Sequence, residues 1–78
     1  MATMIEYNGR LLRISPKDST ILEYSTTKGQ SWHRLYKTNS IQGNLLEIMD
    51  SGNELLARCE KGLFYSKTGG QSWHFRSR

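Results

Sequence analysis

Apolar and polar residues alternate along most of the chain. The clearest stretch surrounds Leu55, Ala57 and Cys59, where Arg58 and Glu60 occupy the alternate positions. A period of two is typical of a strand with one face buried and the other in water. No window of about eleven or more residues keeps an apolar stripe at helical spacing, and β-forming residues and glycines are frequent throughout. The pattern therefore predicts an all-β protein with negligible helix.

Turn-forming residues divide the chain into eight segments of strand length. Asn8-Gly9, Ser51-Gly52 and Gly69-Gly70 are dipeptides that supply positive φ angles in tight hairpins. The stretch from Pro16 to Ser19 forms a further turn, because proline presets φ and aspartate caps its own backbone. The predicted strands are 3–8, 10–15, 20–26, 31–37, 44–50, 53–60, 62–67 and 72–77. We expect two four-stranded antiparallel meanders.

The chain contains an internal repeat. The decapeptide from Tyr24 to His33 returns as Tyr65 to His74 after 41 residues, with eight of ten positions identical. Identity at this many positions indicates duplication of one structural unit. We therefore expect a single domain, 1–78, built from unit 1 (1–38) and unit 2 (39–78). The upstream halves correspond more loosely, and there Arg13-Ile14 resembles Arg58-Cys59.

Both copies of the repeat fit the pattern Ser-x-Thr-x-Gly-x-Ser-Trp. This pattern resembles the Asp-box, also called the bacterial neuraminidase repeat, whose usual form is Ser-x-Asp-x-Gly-x-Thr-Trp. The resemblance implies a structural hairpin between the third and fourth strands of a β-propeller blade. Threonine replaces the aspartate in both copies, and its hydroxyl can accept the same backbone hydrogen bonds more weakly. The box residues are Ser25, Thr27, Gly29, Ser31 and Trp32, then Ser66, Thr68, Gly70, Ser72 and Trp73.

Two blades are too few to close a propeller. Three chains would supply six blades and two chains four, so a homo-oligomer, a trimer or a dimer, is one expected arrangement. A compact two-sheet β-sandwich, in which the two meanders pack on each other, is the alternative.

The charge and the cysteine content limit which binding partners and which cellular compartment we expect. The 78 residues include eleven Lys and Arg, seven Asp and Glu, and one cysteine, giving a net charge of +4. Acidic residues are interleaved with the basic ones, which favours a mixed-charge surface over a basic patch. Cys59 excludes an intrachain disulfide. Without a secretory signal pattern or a run of membrane-spanning length, we expect a cytoplasmic protein and no membrane partner.

The chemistry-bearing residues do not form a catalytic motif. Phosphate-binding, dinucleotide-binding and zinc-protease patterns are absent from the sequence, and two blades cannot supply the arginine cluster and the acids of a sialidase. We therefore expect no enzyme activity, no cofactor and no metal, and an inert thiol at Cys59. The candidates for ligand contact are His33, Arg34, His74 and Arg76.

A non-catalytic module for protein binding or assembly is the predicted function. Lectin-like carbohydrate binding is one alternative, because Trp, Tyr and His side chains near hairpin tips can stack on sugar rings. Nucleic-acid binding through the positive charge is the other.

Overall fold

The computed structural model describes residues 3–77, and these form two four-stranded antiparallel sheets. Sheet A has the order β1-β2-β3-β4 and sheet B the order β5-β6-β7-β8. These two sheets confirm the predicted all-β class with two four-stranded antiparallel meanders. The described residues include no helix long and apolar enough to cross a membrane. The strands are β1 Met4–Tyr7, β2 Arg10–Ile14, β3 Ile21–Ser25, β4 His33–Lys37, β5 Leu45–Asp50, β6 Leu55–Cys59, β7 Gly62–Ser66 and β8 His74–Ser77.

Every predicted segment contains one of these strands, with ends that agree to within two residues. The largest differences, of two residues, lie at the starts of β4, β6 and β8, and at β4 and β8 the box turns extend further than the pattern indicates. The backbone N–H of Ser31 donates to the Thr27 hydroxyl at 2.9 Å, so it takes no part in the sheet. The strand therefore begins only at His33.

The strand registers show which residues of the two sheets are equivalent. Leu22 opposes Tyr36 in sheet A, as Leu63 opposes Ser77 in sheet B, and both pairings carry a bulge at the next position. The strands β3 and β4 thus match β7 and β8 at a spacing of 41 residues.

The first two strands of each sheet match at a spacing of 44 residues. Arg13 opposes Glu23, and its counterpart Ala57 opposes Phe64. Aligning Arg13 with Arg58, as sequence similarity suggests, is therefore wrong by one residue. In a strand, that slip places the side chain on the opposite face of the sheet.

Each sheet has two faces that can be named from these equivalences, since directly opposed residues share a face. The front face of sheet A carries Ile5, Leu12, Leu22, Tyr24 and Tyr36, and that of sheet B carries Met49, Leu56, Leu63, Tyr65 and Ser77. The back face of sheet A carries Met4, Leu11, Arg13, Glu23 and Ser25, and that of sheet B carries Ile48, Leu55, Ala57, Phe64 and Ser66.

The core lies between the front face of sheet A and the back face of sheet B. Leu12 and Leu22 bury almost completely on one side. The buried residues on the other side are Leu45, Ile48, Leu55, Ala57, Cys59 and Phe64. The two units therefore pack through faces that are not equivalent. A two-fold symmetric sandwich would bury equivalent faces instead.

The two outward faces carry charges at positions where the core is apolar. On the back face of sheet A, Arg13 Nε donates to Glu23 Oε1 at 2.9 Å, whereas the counterparts of these residues are Ala57 and Phe64. On the front face of sheet B, Arg58 bonds to a carboxylate oxygen of Glu47 at 3.2 Å. The duplicated units have thus diverged into an inner and an outer surface.

This packing predicts unequal costs for the same truncation at equivalent positions. Leu22 is 1% exposed, so Leu22→Ala should lower the free energy of unfolding by about 2–5 kcal/mol through lost burial and a cavity. Its half-buried counterpart Leu63 should cost about 1 kcal/mol when changed to Ala. Urea unfolding of both variants measures the difference, and equal losses would contradict burial of non-equivalent faces.

Candidate functional site

The first box is a turn closed by its own hydroxyl groups. Ser25 Oγ accepts the backbone N–H of Thr27 at 3.2 Å and that of Gly29 at 2.9 Å. Thr27 Oγ1 accepts the N–H of Ser31 at 2.9 Å. Trp32 Nε1 donates to the carbonyl of Gly29 at 3.0 Å, which places the indole ring across the turn. These side chains therefore serve the local backbone.

The second box repeats these bonds. Ser66 Oγ accepts the N–H of Thr68 at 3.3 Å and that of Gly70 at 2.9 Å, and Thr68 Oγ1 accepts the N–H of Ser72 at 2.9 Å. Trp73 Nε1 donates to Gly70 O at 2.8 Å. A threonine hydroxyl thus acts as the acceptor in both turns, at the position where the Asp-box pattern has a carboxylate.

The two boxes lie in different surroundings. The second box packs between the sheets: a Cβ on Gly70 would lie 2.8 Å from Leu35 Cδ2 and 3.5 Å from Leu22 Cδ2, and the Trp73 ring lies 6.2 Å from that of Tyr36. The first box lies on the outward back face of sheet A, where the Arg13 guanidinium stacks 4.0 Å from the Trp32 ring. One motif therefore occupies an inner and an outer position.

The candidate contact residues lie on different sheets and are not brought together. His33 packs against Tyr24 on sheet A, and His74 packs against Tyr65 on sheet B, each with ring centroids 5.5 Å apart. Residues 3–77 contain no group of three or more side chains suited to hold a metal ion. These histidines therefore have cross-strand aromatic partners.

The two candidate arginines also differ in their surroundings. Arg76 stacks 4.4 Å from the Tyr65 ring and donates to Glu54 Oε1 at 2.5 Å. Arg34 is exposed on β4 and opposes Glu23 across the strand pair.

Cys59 lies in the core at the end of β6, with 4% of its surface exposed. Burial raises the pKa of its thiol to about 11 because the thiolate would lose its hydration. The thiol is therefore protonated at neutral pH and behaves as an apolar core group.

A groove of about 910 Å³ lies at one end of sheet B, beside the turn between β6 and β7. Its apolar side chains are Ile41, Leu46, Leu63 and Phe75. Ile41 is 68% exposed and Phe75 is 51% exposed, which is unusual for residues of this type. Arg58, Glu60 and Lys61 supply charged groups at the rim. We call this surface the apolar groove.

Sequence reasoning missed the apolar groove. The available signal was a departure from the repeat, because Phe75 stands where unit 1 has Arg34. An apolar residue that replaces a charged one on an edge strand marks a local change of environment. Ile41 gave no such signal, since it lies in the connection between the two units.

That connection is organised by two further residues that the patterns did not identify. Gln42 is buried, and its Oε1 accepts the Tyr36 hydroxyl at 2.8 Å. The Thr38 hydroxyl donates to Gly43 O at 2.7 Å. These bonds hold the segment carrying Ile41 beside sheet B, where Lys61 Nζ donates to Ser40 O at 2.8 Å.

The different surroundings of the boxes predict unequal effects of one substitution. Gly29 and Gly70 have φ angles of +94° and +100°, so alanine is strained at both, by about 1–2 kcal/mol. At Gly70 the added Cβ also meets Leu35, whereas at Gly29 the nearest atoms lie at 3.7 Å. Gly70→Ala should therefore destabilise the fold by about 1 kcal/mol or more beyond Gly29→Ala in urea unfolding. The reverse order would contradict the inner placement of the second box.

The raised pKa of Cys59 predicts a loss of stability in alkali. Its contribution is fully present below pH 9.0, the ordinary pKa of the thiol, and is lost as the pH rises to about 11, because only the unfolded chain ionises in that range. Unfolding free energies of the wild type and of Cys59→Ala should therefore converge or cross as the pH rises through this window. Parallel pH profiles would show that the thiol is not desolvated.

Comparisons with protein-family models, with curated proteins and with solved structures gave no match to this chain.

Proposed function

We propose that this chain is a non-catalytic module that binds protein, and that the apolar groove is its contact surface. The observation that carries the proposal is a concentration of exposed apolar surface. Among residues 3–77, the large apolar side chains with the greatest exposure are Met4, Ile41, Leu46 and Phe75, and all but Met4 line the apolar groove. Contiguous apolar surface of this kind marks interaction sites, because water-exposed hydrocarbon gains free energy when a partner covers it.

The composition of the groove fits a protein interface. Its centre is aromatic and aliphatic, and its rim carries Arg58, Glu60 and Lys61. Interfaces commonly combine a desolvated apolar centre with a polar rim that remains wet. A bound segment could cover Phe75 and Leu46 while leaving these charges in water.

The polar groups of the groove are engaged in holding the fold, which supports a non-catalytic role. Glu60 Oε1 accepts the N–H of Asn44 at 2.8 Å, and Lys61 donates to a backbone carbonyl. The Cys59 thiol is buried and has a raised pKa, so it is a poor nucleophile. A general base or an activated nucleophile would need different surroundings.

Carbohydrate and nucleic-acid binding have weaker support. Arg13, Arg58 and Arg76 are each paired with a carboxylate, which reduces the charge available to phosphate. His33 and His74 lie on separate sheets, each against a tyrosine ring, and they do not share one sugar-sized site.

A peptide-display selection tests the proposed function. Random peptides selected on the immobilised protein should include binders that are lost on Phe75→Arg. This variant places in sheet B the residue that sheet A carries at the equivalent position. Because the Phe75 ring also packs edge-on against the buried Phe64 ring, with centroids 5.5 Å apart, urea unfolding of the variant checks that the fold is retained. The matched control is Asn53→Arg, which adds the same charge at an exposed position in the turn between β5 and β6 and should leave binding unchanged.

The selection would contradict the proposal if the recovered peptides bound Phe75→Arg as well as the wild type. Oligonucleotide and glycan probes run in parallel would then identify either of the other two functions. Salt-sensitive oligonucleotide binding would favour the nucleic-acid alternative.

A further inference from the structure

We infer that the apolar groove receives the first box of a second copy of this chain, so that copies associate head to tail. The inference rests on the proposed function and names the partner. The template is the packing between the two units of one chain, and we expect two chains to pack on each other in the same way.

The template is the contact of the second box with sheet A. Gly70 lies against Leu22 and Leu35, and Trp73 lies against Tyr36. The glycine allows this close approach, since a Cβ there would lie 2.8 Å from Leu35. The second box thus covers the front face of sheet A.

Part of the apolar groove is the uncovered counterpart of that front face, whereas Phe75, which opposes Phe64, lines the groove from the edge of the back face. Three residues that line it, Arg58, Leu63 and Ser77, are the equivalents of Ile14, Leu22 and Tyr36 on sheet A. On sheet A these positions pack in the core beneath unit 2. On sheet B these three positions line the open groove instead.

The element that fits such a surface is present on the opposite side of the same chain. The first box has the hydrogen bonds of the second, and a Cβ on Gly29 would meet no atom closer than 3.7 Å. The neighbouring Met4 is 54% exposed, whereas its equivalent Ile48 is 2% exposed within the core. The back face of sheet A is thus the outward counterpart of the face that sheet B buries.

Substitutions at the outward positions make this contact weaker than the internal one. On the receiving side, Arg58 replaces an isoleucine, Ser77 a tyrosine and Arg76 the leucine that lies nearest Gly70 in the internal contact. On the first-box side, Arg13 and Glu23 stand where the inner face has Ala57 and Phe64. The single chain is already compact, since its 4867 Å² of accessible surface matches the value of about 4,900 Å² that its mass predicts for a monomer. Association is therefore reversible and concentration-dependent.

A contact between unlike surfaces is heterologous, and it closes into a ring or extends into a chain according to its rotation. Each copy has one groove and one first box. A copy that is blocked at either surface should therefore not assemble with others of its own kind. A copy blocked at the groove should still form one dimer with a copy blocked at the first box, through the two surfaces that remain intact.

Sedimentation equilibrium between micromolar and millimolar concentration tests this arrangement. Three variants change the net charge equally: Ile41→Asp in the apolar groove, Met4→Asp on the back face of sheet A, and Asn53→Asp in an exposed turn as the control. The first two residues are 68% and 54% exposed, so the fold should be retained, and urea unfolding checks this. Phe75→Arg is a second groove variant.

The wild type and Asn53→Asp should associate as concentration rises, and each groove or back-face variant alone should weaken self-association by about tenfold or more. An equimolar mixture of Ile41→Asp and Met4→Asp should form a species of twice the 9.0 kDa chain mass and nothing larger. A groove-to-groove dimer would be lost in Ile41→Asp and kept in Met4→Asp, which would overturn the inference.

Failure of this inference and failure of the proposed function are distinguishable. A wild type that remains monomeric up to millimolar concentration, yet loses selected peptides on Phe75→Arg, overturns the second-copy assignment and leaves the protein-binding function standing. A monomeric wild type whose selected peptides ignore the groove overturns both.

Discussion

Burial of the front face of sheet A against the back face of sheet B is the contact on which the rest of this structure depends. A four-stranded sheet alone leaves one apolar face in water, and a chain of 78 residues has no disulfide to compensate. Packing the two sheets removes Leu12 and Leu22 from water on one side and Leu55 and Phe64 on the other. Because the buried faces are not equivalent, the two faces left toward solvent also differ: they are the back face of sheet A and the front face of sheet B.

This asymmetry explains why the two copies of one motif lie in different surroundings, one inside the fold and one at its surface. The hydroxyl and indole bonds within the two boxes are almost identical, so the turn is built from local sequence. Their surroundings come from the sheet packing. The second box fills the space over Leu22, whereas the first remains outside under the Arg13 guanidinium. Residues at equivalent positions differ accordingly: Ala57 and Phe64 line the core, whereas Arg13 and Glu23 form an ion pair at the surface.

The strands and their order could be predicted from the sequence, because alternation and turn dipeptides are local signals. The buried face of each strand could not. Leucine pairs occur at Leu11-Leu12, Leu45-Leu46 and Leu55-Leu56, so an apolar side chain lies on both faces of the strand. Which member is buried depends on the partner sheet: Leu12 is buried in sheet A, whereas its counterpart Leu56 lies outside the core of sheet B. The apolar groove was missed for the same reason, since it is defined by what does not cover it.

The central claim is the packing of non-equivalent faces, and nuclear Overhauser spectroscopy on methyl-labelled protein tests it most directly. A Cβ built on Gly70 would lie 3.5 Å from Leu22 Cδ2, so the account predicts strong cross-peaks between the Leu22 methyls and the Gly70 α-protons, and between the rings of Tyr36 and Trp73. Cross-peaks between the methyls of Leu22 and Leu63 in the monomer, with none from Leu22 to Gly70, would indicate packing of equivalent faces and contradict the account.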